Sequence, residues 1–244
     1  MMIEIRPPES IFQTDGVIQN GTFHGRWHFS FDTYRDPAHI RFGTLRVFND
    51  DTLSPGAIWP LHPHTQNEVV TYVASGEFRH EDEHGKGGLL RKGWVQHTTV
   101  GRGMFHSEIN ARSDMPMRFI QMWFLPEELN LEPSVEQKAV DRADRTGRWF
   151  ALVSQTQPGA LPIRSDAHVL AAYLPPGGSL EHDLPAGRGA YLYVVEGGPI
   201  MLGAQQMVPL SAAAITGPET IAVSTALEAE LLLIDVNLGD LRAP

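Results

Sequence analysis

The sequence predicts an all-β protein built of two tandem jelly-roll barrels, and three observations carry that expectation. Short runs rich in β-branched and aromatic residues alternate with glycine-bearing turns: Glu68 to Val73, then Ser75-Gly76-Glu77, then Phe78 to His80 reads as strand, turn and strand. From Pro126 to Trp149 that rhythm breaks into mixed acidic and basic residues with few apolar ones, as an inter-domain connection does, with a short helix expected near Val135 to Val140. From Phe150 the rhythm resumes, and Tyr191 to Gly197 echoes Thr71 to Gly76. The expected division is a first domain over 1–135 and a second over 136–244, and 244 residues suffice for each to bury a core.

Composition excludes several classes of function. A formal net charge of -10 repels phosphate backbones and anionic membrane surfaces, so neither nucleic acid nor membrane is an expected partner. There is no cysteine, so any metal must be held by nitrogen and oxygen, which removes the thiolate-rich structural zinc sites. The opening Met1 to Ser10 carries Glu4, Arg6 and two prolines rather than the apolar run of a signal peptide, and no later run is long enough to span a bilayer. A cytoplasmic location is the expectation.

In order along the chain, residues 1–25 read as an edge strand and loop, and Arg26 to Phe31 as an aromatic strand packing over the first barrel. His24, His28 and His39 stand alone and are expected to be surface or hydrogen-bonded histidines. Arg41 to Asn49 is strand-like and ends in the turn Asn49-Asp50-Asp51, with Ser54-Pro55-Gly56 as another turn. Ile58 to Leu61 leads into His62-Pro63-His64, and prolines at 60 and 63 suit an edge strand because they offer no ladder donors. Trp59 either lines a pocket or plugs the barrel, as large aromatics mostly do.

Glu81 to Lys86 with Gly85, Gly87 and Gly88 reads as a reversal, and Lys92-Gly93 as the next. Gly93 to Thr99 follows as a strand with Gln96 and His97 on opposite faces, one of which must point inward, where it could support a ligand or face a substrate. Gly101-Arg102-Gly103 is a tight corner and His106-Ser107-Glu108 follows it. Met117 to Phe124 is a nearly continuous apolar run, a buried strand in which Gln121 must find a partner, either in the pocket or on the backbone.

The chemistry concentrates in the two tripeptides. In a strand, residues two apart share a face, so His62 with His64 and His106 with Glu108 each present two donors to one point. If the two strands lie opposite each other, three imidazoles and one carboxylate form a cage for a single divalent transition metal. The second domain has only Leu180-Glu181-His182-Asp183 at the corresponding place and no later histidine, so it is expected to be structural or partner-facing.

Gly56, five residues, His62-Pro63-His64 and then Gly76 resembles the first cupin motif, and Gly93 followed by Gly101, His106 and Asn110 resembles the second. Within the cupins, His62-Pro63-His64, Glu68 to Val73, Gly76-Glu77, Gly101-Arg102-Gly103 and His106-Ser107-Glu108 resemble the pirin family, and Phe29-Ser30-Phe31, Leu45-Arg46-Val47 and Asn49-Asp50-Asp51 resemble its bacterial members. The likeness is close over the N-terminal half and loose over the C-terminal half. It implies a bicupin with one metal, usually iron(II), in the first barrel, held by His62, His64, His106 and Glu108, with Zn, Mn, Co, Ni or Cu as alternatives. Thr65 stands where the family commonly has Arg or Lys, which removes a cation from the pocket mouth. Glu68 lies one residue nearer the histidine pair than the glutamate of many metal-binding cupins, and that slip turns it to the other face of its strand, leaving Glu108 as the carboxylate ligand.

Two functions follow from the resemblance. One is a dioxygenase of the quercetin 2,3-dioxygenase type that opens the flavonol heterocycle with dioxygen and releases carbon monoxide, with Glu108 accepting the substrate proton. The other is a non-catalytic, metal-dependent regulatory module read by a protein partner.

Overall fold

The computed structural model describes residues 2–85 and 87–239; Lys86, in the expected reversal, and Met1 lie outside the described residues. Two cupin domains are present, each a long sheet facing a four-stranded one, and every pairing between named strands is antiparallel. In the first, the seven-stranded sheet runs in the order Ser134–Lys138, Val95–Thr99, Glu68–Ser75, Met117–Phe124, Leu45–Leu53, Gly21–Trp27, Phe12–Ile18. Facing it are Ile58–His64, Met104–Asn110, Glu77–Asp82 and Gly87–Arg91. In the second, the six-stranded sheet runs Met2–Arg6, Ala212–Thr216, Arg188–Gly197, Ala229–Asn237, Ala167–Leu174, Phe150–Ser154. The opening strand Met2–Arg6 thus pairs with Ala212–Thr216, far along the chain, rather than with its sequence neighbours.

The helix expected near Val135 to Val140 is not formed. Ser134–Lys138 is a strand, paired with Val95–Thr99 from Ser134 opposite Thr99 to Lys138 opposite Val95. An exposed edge of the long sheet offers backbone partners there, and edge pairing outweighs local composition. The helical turn appears later as a 3-10 segment over Arg142–Arg145. Among the described residues no helix is long and apolar enough to cross a membrane.

The long sheets pack back to back, and the period of two decides what each strand contributes to the interface. Val70, Tyr72 and Ala74, with Phe48, Ile120, Met122 and Phe124, join Val169, Ala171, Tyr191, Tyr193, Leu232 and Ile234 of the second barrel in one core. The alternate residues, Leu53, Val73, Met117 and Phe119, turn into the first barrel. The second barrel is filled by its own alternate set, among them Leu170, Leu192, Val194, Ile215, Leu231 and Leu233. Its interior is a packed apolar core, whereas the corresponding positions of the first barrel include Asn49, Asp51 and Gln121.

Candidate metal centre

Ile58–His64 is the edge strand of its sheet, as its prolines require, and it pairs with Met104–Asn110 so that His62 lies opposite His106 and His64 opposite Met104. The register is interrupted between His106 and Glu108, where a bulge leaves Glu108 opposite Trp59. Bulges bend a strand and re-aim its side chains, and this one lies between the two site residues of Met104–Asn110.

One nitrogen from each of His62, His64 and His106 lies within 4.8 Å of the others. The hydrogen-bond pattern identifies the converging atoms. His62 Nδ1 lies 2.8 Å from the Pro60 carbonyl and must donate to it, which leaves a lone pair on Nε2. His106 Nε2 sits 3.2 Å from that atom, while His106 Nδ1 is 2.9 Å from His80 Nε2. His64 Nε2 is buried without a hydrogen-bond partner. Burial, with the other site histidines adding, lowers the pKa of His64 to about 4 and of His106 to about 2. Neutral imidazoles aimed at one point, one of them with a buried and unpaired nitrogen, are the donor set a divalent transition metal takes.

Glu108 lies at the next inward position of its strand and outside that group of three. It is 5% exposed and accepts a hydrogen bond from Gln121 Nε2. Burial raises its carboxyl to about 7 against the opposing pull of Gln121. Gln121 Oε1 accepts from Trp123 Nε1 at 2.7 Å, so the buried glutamine is satisfied by the pocket and not by the backbone. The Trp123 ring in turn stands edge-on to His64, 4.6 Å between centroids.

His62, His64, Glu108, Gln121 and Trp123 line one side of a cavity of about 590 Å³, whose other walls include Phe23, Trp27, Phe31 and Trp59. Trp59 does both things expected of it, lining the cavity and packing on Phe23 at 4.6 Å. A concave site of this volume, aromatic-walled with a few convergent polar groups, suits a planar aromatic ligand.

Other sequence expectations resolve as follows. Glu68 faces the barrel interface, where it meets His97 Nε2 at 2.7 Å, Thr99 Oγ1 at 3.2 Å and the Arg164 amide at 3.2 Å. Neither Gln96 nor His97 reaches the site: Gln96 is spent on Thr98 and Gln137, and His97 on Glu68. His24 and His39 bond to Asp15 and Asp36, and His28 is fully buried against the Tyr191 hydroxyl. His182 is held by Asp235 at 2.9 Å, and the described residues contain no second group of ligating side chains in its barrel. Sequence reasoning missed His80. Its signal lay in chemistry, since a ligating imidazole needs a partner for its other nitrogen, but only the pairing of Glu77–Asp82 with Met104–Asn110 places His80 beside His106.

The family model for pirin matches residues 11–124, and that for the quercetinase C-terminal cupin domain matches 151–236. A pirin-like protein of Caulobacter vibrioides is 34% identical, with 96% of this chain and 99% of the relative covered. A Pseudomonas aeruginosa relative provisionally named a quercetin 2,3-dioxygenase is 36% identical over 96% of this chain and 100% of its own length. Quercetin 2,3-dioxygenase of Escherichia coli K12 is 31% identical over 86% of this chain and 90% of its own. Among solved structures, YhhW from Escherichia coli superposes with a TM-score of 0.88 at 28% identity, covering 96% of this chain and 97% of that one, and its complex with nickel(II) with a TM-score of 0.86. Both halves of the chain are thus matched in sequence and in fold, and the protein belongs to the pirin family.

Proposed function

We propose that the protein is a metal-dependent dioxygenase acting on flavonol-type aromatic substrates. The observation that carries this reading is the convergence of three histidines beside a buried carboxyl, with His62, His64 and Glu108 on the wall of a single aromatic cavity. In it His62, His64 and His106 hold the metal through Nε2, Glu108 is the fourth ligand, and iron(II) is the metal of choice. When bound, such an ion supplies Lewis acidity and open coordination positions for an oxygen-bearing substrate and for dioxygen.

The chain's own residues supply the rest. Trp27, Phe31, Trp59 and Trp123 offer ring faces and edges to a flat ligand, and their burial of it excludes bulk water. Glu108 has one oxygen held by Gln121; the other would serve as the ligand atom, or accept the proton of a substrate hydroxyl with the carboxylate swung off the metal. The overall reaction adds both atoms of dioxygen to the flavonol, opens its heterocycle and releases carbon monoxide.

The test is flavonol-dependent oxygen uptake by the purified, iron-loaded protein. Uptake far above that of His106→Ala is expected, and equal rates for the two proteins would end the enzymatic reading.

A further inference from the structure

The cavity has a second polar wall that the metal centre does not use. Leu45–Leu53 turns Asn49 and Asp51 into the first barrel at a spacing of two, and both line the cavity. Asn49 is 3% exposed and its Oδ1 is buried with no hydrogen-bond partner. Buried amide oxygens are nearly always paired, so an unpaired one on a cavity wall is a place where a ligand's donor belongs. Neither cross-strand neighbour bonds to it. Asn49 lies opposite Gln121 and Trp27 in the sheet, but the Gln121 amide is committed to Glu108 and Trp123, and the Trp27 indole to Asp51.

Asp51 Oδ1 accepts from Trp27 Nε1 at 3.2 Å. Burial, with the like charges of Asp50 and Glu108 adding, pushes its carboxyl well above the usual range despite that hydrogen bond. That direction favours the protonated form, which can donate as well as accept. Beside the unpaired oxygen of Asn49 it completes a donor and acceptor pair, which is what one hydroxyl group needs. Trp27 and Phe31, in edge contact with centroids 5.2 Å apart, border the same wall.

We propose that Asn49 and Asp51 form a second subsite, which binds a hydroxyl of the aromatic substrate other than the one directed at the histidines. The cavity then selects polyhydroxylated aromatics over those with a single hydroxyl. The inference rests on the aromatic-substrate reading above and adds the specificity determinant to it.

The experiment is equilibrium binding to the metal-loaded protein under argon, read as quenching of tryptophan fluorescence, since Trp27, Trp59 and Trp123 line the cavity. The probes are quercetin, with hydroxyls on both outer rings, and 3-hydroxyflavone, with one hydroxyl only. The wild type is expected to favour quercetin by about tenfold or more. Asn49→Leu should bring that ratio close to one while leaving the affinity for 3-hydroxyflavone within about twofold. Asn49→Ala gives the same reading if circular dichroism shows that the leucine variant does not fold. Asp51→Ala should also lose the preference, whereas Asp51→Asn, which keeps an acceptor for Trp27 and a donor for the ligand, should retain it. An unchanged ratio in the Asn49 variants, or an equal loss of both affinities, overturns the subsite alone. Failure of both probes to bind the wild type overturns the aromatic-substrate reading, and the subsite with it.

Discussion

Protonation at the candidate centre sorts three of its side chains into two kinds. Burial keeps His64 and His106 neutral well below pH 6, so they need lose no proton to accept a metal. Glu108, raised to about 7, is mostly protonated at pH 6 and must lose that proton to become a ligand. Metal binding at pH 6, followed by calorimetry in buffers of different ionisation enthalpy, should therefore release most of a proton more in the wild type than in Glu108→Gln, and the difference should nearly vanish at pH 9. An equal release by the two proteins at pH 6 would remove Glu108 from the ligand set. The same shifts set the stability of the metal-free protein. Histidines whose folded pKa lies below the unfolded value withdraw stability as pH falls from about 6.5 toward 4. Glu108, whose folded pKa lies above, withdraws it as pH rises from about 4.5 to 7. His64, His80 and His106 all belong to the first kind, so acid should destabilise the metal-free protein and Glu108→Gln should steepen that loss. Thermal melts between pH 5 and 8 check both the sign and the difference. His80 Nε2 lies 2.9 Å from His106 Nδ1, and by accepting there it would hold His106 in the tautomer whose Nε2 is free for a metal. His80→Leu should weaken metal binding about 10- to 100-fold in a chelator competition without abolishing it, and full retention of affinity would show the contact to be idle.

Strand periodicity explains why the three converging histidines could be picked out from the chain. Residues two apart share a face, so His62 with His64 and His106 with Glu108 were legible as pairs before any pairing was known. The same rule sent Glu68 away from the cavity, toward His97 and the second barrel. Register and cross-sheet proximity were not legible. His80 meets His106, and Asn49 lies opposite Gln121, only because particular strands are neighbours, and nothing in local composition marks those pairings. The strand at Ser134–Lys138 was misread for the same reason, its conformation being set by an edge of the long sheet 35 or more residues away in sequence. One turn illustrates how tightly the register is held. Gly76 joins Glu68–Ser75 to Glu77–Asp82 with a φ of +78°, and a Cβ there would come within 2.8 Å of the Met117 Cα and the Pro116 carbonyl oxygen. Gly76→Ala should cost about 1–3 kcal/mol from the strained backbone alone, measured by denaturant unfolding, and a loss below about 0.5 kcal/mol would show that the turn relaxes freely.

At the scale of the molecule the two barrels differ in what fills them and are joined by a common core. The second barrel packs leucine, valine and isoleucine where the first keeps a cavity, so its contribution is a surface against which the long sheet of the first is held. Polar pairs fix that contact. Arg118 forks onto Asp50 at 2.7 and 2.6 Å and reaches the Val195 carbonyl at 3.0 Å, while the Tyr193 hydroxyl also donates to Asp50. Arg145 pairs with Glu230 at 2.9 Å, and the Tyr72 hydroxyl donates to the same carboxylate. Arg118→Met leaves the fully buried Asp50 without its cation and should destabilise the protein by about 3–5 kcal/mol, read from chemical denaturation. A loss under about 1 kcal/mol would mean that the pair is not holding the barrels together. All the functional statements, however, depend on one metal being held inside the first barrel by three histidines. Metal analysis of the untagged protein against His106→Ala tests this most directly. The expected result is about one equivalent of a divalent transition metal per chain in the wild type, and less than about a tenth of that in a variant that remains folded. A wild type without metal, or a variant that retains it in full, would contradict the account.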